Sequence, residues 1–135
     1  MHKIIGIDFG LSRIGVAYGQ TITNTANPVT TIKATDGDPD WEALDHVMDQ
    51  WRPTRLVVGL PVDCYELESE ISKQARAFAK LLEQRYSRPV DLINEAFSTR
   101  EARWRLTEYK QKSHQYEKVD AYAACVIIES WFDVN

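Results

Sequence analysis

The sequence predicts a single α/β domain built on a five-stranded mixed sheet, in the order β-β-β-α-β-α-β-α-α, with helices on both faces. Three observations carry that expectation. Residues 3–33 read as three successive extended segments. After them, helical stripes alternate with short apolar runs, the pattern that adds parallel strands through right-handed crossovers. A length of 135 residues and a mass of 15.5 kDa fit one domain and exclude architectures that need two large lobes.

Lys3 to Phe9 is a nearly continuous apolar run with the β-branched content of a buried central strand. Gly10-Leu-Ser-Arg is a turn, and Ile14 to Tyr18 is the returning strand of a hairpin. Ile22 to Lys33 is rich in Thr and contains Pro28, which suits an edge strand because proline cannot donate to the ladder. Thr35-Asp-Gly-Asp-Pro-Asp is turn chemistry. A helix then begins at Pro39 or Asp40, with Trp41, Leu44, Met48 and Trp51 at helical spacing, and Pro53 stops it. Arg55 to Leu60 is a second buried strand. Glu66 to Tyr86 forms a helix whose Ile71, Ala75, Phe78, Leu82 and Tyr86 share one stripe. Pro89 to Ile93 is the fifth strand, and Ser98 with Glu101 is a capping box for a helix reaching Tyr109. A polar loop over Lys110 to Lys118 leads into a last helix from Val119 to Phe132.

Composition narrows the function classes. With 44% hydrophobic and 27% charged residues the chain has the makings of a packed core. No stretch approaches the roughly 20 apolar residues of a membrane-spanning helix, and Met1-His2-Lys3 runs directly into a strand, so a cytoplasmic address and no membrane partner are expected. Cys64 and Cys125 lack CxxC spacing and read as reduced thiols, Cys125 in the core. A net charge of −4 excludes a uniformly basic coat. Yet residues 71–118 carry eleven Lys or Arg against six acids, so one side of the molecule can face phosphates.

Three acids stand in awkward places. Asp8 interrupts an apolar strand, where an unpaired carboxylate would cost several kcal/mol. It either caps the Gly10 turn or serves as a metal ligand or catalytic acid at the carboxyl end of a central strand. Asp120 begins the stripe of Ala123, Ala124, Ile127, Ile128 and Trp131, so it faces the sheet, although a first-turn acid is also explained by the helix dipole. Glu95 follows the fifth strand. Together the three could form one carboxylate cluster for Mg²⁺ or Mn²⁺, the hard-oxygen arrangement used in metal-assisted phosphodiester hydrolysis.

The motifs Gly6-x-Asp8-x-Gly10-x-x-Arg13-x-Gly15-x-Ala17, Gly59-Leu60-Pro61, Glu95-x-x-Ser98-Thr99-x-x-Ala102 and Val119-Asp120-x-x-Ala123-Ala124 occur in this order along essentially the whole chain. In these motifs the sequence resembles the YqgF/RuvX family. The resemblance implies an RNase H-like fold and a bacterial, cytoplasmic nuclease that matures the 5′ end of pre-16S ribosomal RNA, also called Holliday-junction resolvase-like. It implies that Asp8, Glu95 and Asp120 are catalytic divalent-metal ligands acting without a covalent intermediate. Two departures stand out: the family's Asp-Glu-Arg is here Asn94-Glu95-Ala96, and the loop Val62-Asp-Cys-Tyr-Glu lacks the usual glycine.

Arg13, in the hairpin turn, is either a phosphate clamp or an exposed arginine. Arg100, Arg103, Lys110 and Lys112 are candidates for tracking a nucleic-acid backbone. Ser98 and Thr99 read as caps. Trp104 reads as core, with base stacking the alternative. His2, His46 and His114 have no ligand spacing. The leading expectation is a metal-dependent endonuclease acting in pre-16S rRNA maturation, with pre-rRNA or ribosomal precursor particles as partners and a monomeric or homodimeric state. The alternatives are a resolvase-like nuclease acting on branched DNA and a catalytically weakened ribosome-assembly module that binds nucleic acid, the latter favoured by Asn94 and Ala96. Ile4 to Gly15 also looks like the first phosphate-binding hairpin of actin-like ATPases, which need a second such domain that this length excludes.

Overall fold

The computed structural model describes residues 2–60, 70–94 and 116–135, with side chains in the last segment from Asp120 onward. The elements are β1 (Lys3–Asp8), β2 (Arg13–Gln20), β3 (Thr25–Thr35), β4 (Asp38–Pro39), α1 (Trp41–Trp51), β5 (Arg55–Leu60), α2 (Glu70–Tyr86), β6 (Val90–Asn94) and α3 (Tyr116–Val134). The sheet order is β4-β3-β2-β1-β5-β6. β1, β2 and β3 form an antiparallel meander, and β5 and β6 run parallel to β1. This is the expected mixed sheet.

Six strands replace the expected five, and the extra one comes from turn chemistry. Asp36 and Gly37 both take positive φ, 51° and 86°, so the Asp-Gly step makes a tight two-residue hairpin rather than a plain loop. Ala34 then pairs with Pro39 and Thr35 with Asp38. Asp40 caps α1, its carboxylate accepting from the Ala43 amide at 3.3 Å. At the other end Arg52 adopts the left-handed C-cap conformation ahead of Pro53. β3 starts at Thr25, later than Ile22, which lies 65% exposed in the preceding turn. Within β3 the register shifts opposite Val16 and Ala17, leaving Val29 as an extra residue.

Side-chain alternation divides the core into two layers. On one face Ile5, Ile7, Ile14, Val16, Leu56 and Val58 pack against Leu44, Val47 and Met48 of α1 and Ala75, Phe78 and Leu82 of α2. On the other, Ile4, Ala17, Val57 and Ile93 pack against Ala124, Cys125, Ile127, Ile128 and Trp131 of α3. Helices thus cover both faces. Fully burying each large aliphatic side chain stabilises the fold by about 1.5–3 kcal/mol. A clip on the first layer joins α1 to α2: Arg85 donates through Nε and a terminal nitrogen to the Asp45 carboxylate, Tyr86 donates its hydroxyl to Asp45 at 2.6 Å, and the guanidinium lies over Trp41.

α3 runs antiparallel to β1 along a track of small residues. A Cβ on Gly6 would lie 2.8 Å from Ile128 Cδ1 and 3.0 Å from the Ala124 carbonyl oxygen, so only glycine lets the helix sit this close. At the far end of the track Arg55 donates to both oxygens of Asp91 at 2.9 Å, and Trp131 Nε1 donates to the same carboxylate at 2.8 Å. Two expectations for this helix change. It begins at Tyr116 rather than Val119, converting the end of the expected polar loop into helix. Its buried set also includes Ala121, whereas Ala123 is only half-buried. The expected helix over residues 98–109 lies outside the described residues.

Candidate active site

Asp8 is the last residue of β1 and is half-buried. Ile5 and Ile7 belong to the layer under α1 and α2, and Ile4 and Gly6 lie under α3, so alternation sends Asp8 to the α3 side. In the antiparallel register Asp8 stands opposite Gly15 of β2. A Cβ on Gly15 would collide with the carbonyl oxygen of Asp120. One glycine therefore touches both: its cross-strand neighbour is Asp8, and the backbone of Asp120 rests on it. Residues more than a hundred positions apart are brought to one end of the sheet.

The environment of Asp120 differs from the one expected. With α3 starting at Tyr116, Asp120 is beyond the first turn, where the helix dipole has its effect, so the dipole no longer accounts for its placement. Its carboxylate forms an ion pair with Arg13, Nε to Oδ2 at 3.1 Å, with the side chains 24% and 48% exposed respectively. Arg13 is the first residue of β2 rather than a turn residue, and it shares the α3 face with Gly15 two positions on. The turn between β1 and β2 is held by the β3–β4 hairpin: the Ala34 amide donates to the Ser12 carbonyl and the Gly37 amide to the Leu11 carbonyl, both at 2.9 Å. The turn that joins Asp8 to Arg13 is thus fixed by backbone hydrogen bonds.

Asp8 is level with Gly59 of β5, and Gly59 with Ile93 of β6. β6 ends one residue later, at Asn94, level with Leu60. Glu95, Arg100, Arg103, Lys110 and Lys112 lie outside the described residues, as do Cys64, Ser98, Thr99 and Trp104. Among the described residues no three His, Cys, Asp or Glu side chains cluster as a metal site. Asp8 and Asp120 nonetheless fit a hard divalent ion: carboxylates are its preferred donors, and Gly15, by lacking a Cβ, lets the Asp120 backbone close onto the strand position opposite Asp8. Sequence reasoning places Gly15 in a motif without giving it this task. It also misses Thr31 and Lys33, which oppose Gly15 and Arg13 across the β2–β3 ladder. Counting alternate residues outward from the buried Ile14 and Ile32 would have found both.

Cys125 is core, as expected: burial pushes its thiol up to about 12, with the Glu129 carboxylate adding to the effect. Among the described residues no helix is long and apolar enough to cross a membrane.

The family model described as RuvX: Holliday junction resolvase matches residues 2–134. A protein of Francisella tularensis subsp. mediasiatica named "Putative pre-16S rRNA nuclease" is 53% identical over 134 residues, covering 99% of this chain and 98% of that one. A protein of the same name from Francisella philomiragia is also 53% identical over 134 residues, with the same coverage of 99% and 98%. Among solved structures, Thermus thermophilus RuvC superposes with a TM-score of 0.61 at 14% identity, covering 98% of this chain and 95% of that one. The yeast mitochondrial Holliday junction resolvase gives 0.55 at 11% identity, covering 96% and 78%. Those two likenesses bear on the fold, which is the RNase H-like one that the motifs implied. With its family model matched from end to end and relatives at this identity, the chain belongs to the RuvX family.

Proposed function

We propose that this protein is a divalent-metal-dependent endonuclease that cleaves phosphodiester bonds in the maturation of the 5′ end of pre-16S rRNA, acting on the precursor RNA or the ribosomal particle that carries it. The observation that carries this reading is the convergence of Asp8 and Asp120 on Gly15. The names of the 53% identical relatives support the choice of RNA.

In this reading Asp8 and Asp120 hold Mg²⁺ or Mn²⁺ through carboxylate oxygens, and Glu95 supplies a third. Support for Glu95 comes from register: the residue before it, Asn94, ends β6 at the same sheet end as Asp8. When bound, the ion acts as a Lewis acid on the phosphoryl group and makes a water acidic enough to attack at neutral pH. Arg13, beside Asp120, binds a phosphate oxygen of the substrate and orients the strand. The four basic residues Arg100, Arg103, Lys110 and Lys112 neutralise backbone phosphates farther along it.

The test is to challenge the purified protein in Mn²⁺ with a pre-16S rRNA fragment and a four-way DNA junction side by side, with Asp8→Asn as control. Cleavage of the RNA, lost in the variant, is the expected result. Cleavage of the junction alone would make the protein a DNA resolvase. Binding of RNA without cleavage by the wild-type protein would make it an assembly module, as Asn94 and Ala96 in place of the family's Asp and Arg would suggest.

A further inference from the structure

Beyond Arg13, the end of the sheet beside Asp8 presents a second cation that no motif singles out. Lys33 of β3 stands directly opposite Arg13 in the antiparallel ladder. The intervening Ile14 and Ile32 are both buried in the layer under α1 and α2, so Arg13 and Lys33 both project to the α3 side, as Gly15 and Thr31 do. Lys33 is exposed and, among the described residues, makes no ion pair, whereas Arg13 is paired with Asp120. Its backbone is fixed: the Lys33 carbonyl accepts from the Asp40 amide at 2.9 Å, beyond the β3–β4 hairpin.

The Asp120 carboxylate already offsets Arg13, whereas Lys33, directly opposite it, makes no such ion pair among the described residues and is placed to take an anion from outside. Strand spacing of about 4.8 Å sets β3 about 10 Å from β1, which is within reach of one nucleic-acid strand lying across the sheet end. We infer that Lys33, with Arg13, forms a phosphate-binding platform that takes the backbone of the substrate strand flanking the bond held at Asp8 and Asp120. The platform positions the strand by charge and carries no sequence information. This inference rests on the nuclease reading for its choice of ligand. Its test does not depend on cleavage.

The experiment measures equilibrium binding by fluorescence anisotropy over a salt series, in an Asp8→Asn background, with the single-stranded pre-16S leader RNA and with a four-way DNA junction. Lys33→Ala is expected to weaken binding about 3–10-fold at moderate salt and to lower the slope of log K against log salt by about 0.7–0.9, the contribution of one phosphate contact. Lys33→Arg should restore the slope. Lys80→Ala, which removes an exposed charge from α2 on the opposite layer, should leave it unchanged. A slope unaltered by Lys33→Ala would overturn the platform, as would an equal loss in the Lys80 variant, which would show only the overall field. Retained RNA binding with no cleavage by wild-type protein would overturn the nuclease reading instead, and the Lys33 slope would still decide for or against the platform. Thermal unfolding of each variant, expected to match wild type, excludes a folding defect.

Discussion

Gly15 and Asp120 meet backbone to backbone. The hydrogen that glycine has in place of a Cβ is what lets the N-terminal part of α3 descend onto β2, and Asp8 flanks the contact from β1. The position of the helix and the geometry of the two acids are therefore one property. Gly15→Ala should lift α3 locally, costing about 1–3 kcal/mol as overpacking does. The same displacement separates the carboxylates, so Mn²⁺ affinity should fall at least tenfold. Calorimetry of Mn²⁺ uptake alongside urea unfolding reads both. Loss of stability with unchanged cation affinity would separate the helix contact from the acid pair.

Arg13 holds a positive charge 3.1 Å from an oxygen of Asp120, the group proposed to hold a cation. A guanidinium there competes with the ion for the same carboxylate. Arg13→Gln should accordingly tighten Mn²⁺ binding several-fold while weakening RNA binding. Because the pair is partly exposed, its removal should change stability by no more than about 1 kcal/mol. Mn²⁺ titration of wild type and variant checks the sign, and weaker Mn²⁺ binding in the variant would contradict it.

The architecture was legible because its signals are local. Apolar runs, Pro53, the Asp40 cap and the stripe of α2 each depend on a few neighbouring residues. What the sequence did not disclose depended on φ or on distance. Asp36 and Gly37 could close either a loop or a hairpin, and only their positive φ values create β4. Asp8 and Asp120 were recognisable as misplaced acids, but their meeting at Gly15 is a tertiary fact about helix approach. Lys33 looked like the charged end of a Thr-rich strand until the register set it beside Arg13. The start of α3 at Tyr116 lies in a polar run whose composition resembles a loop, and packing of the apolar helix that follows overrides that local signal.

Asp45 provides a pH signature unconnected with the site. Hydrogen bonds from Arg85 and then Tyr86 lower its pKa from 3.8 to about 2 against a small opposing desolvation. A folded-state pKa below the unfolded one means stability that is complete above pH 3.8 and disappears as the pH falls toward 2. The pair is well exposed, so screening keeps the effect modest. The difference in Tm between wild type and Asp45→Ala should therefore be constant from pH 7 to 5 and shrink below pH 4. A difference that persisted at pH 2 would mean that packing of Arg85 on Trp41, rather than the charge, joins α1 to α2.

Cys125 tests whether the layer beneath α3 is closed. Burial raises its thiol to about 12, so the protonated, unreactive form prevails at pH 8, and the 3% exposure bars reagents from the sulfur. In a Cys64→Ser background, which leaves Cys125 as the sole thiol, labelling by a disulfide reagent at pH 8 should be slower than in urea by several orders of magnitude. Its rate should follow the opening of α3 from the sheet rather than reagent concentration once the reagent is in excess. Fast, concentration-dependent labelling of the native protein would mean that α3 leaves Gly6 and Gly15 readily, and a helix that mobile could not keep Asp120 beside Asp8.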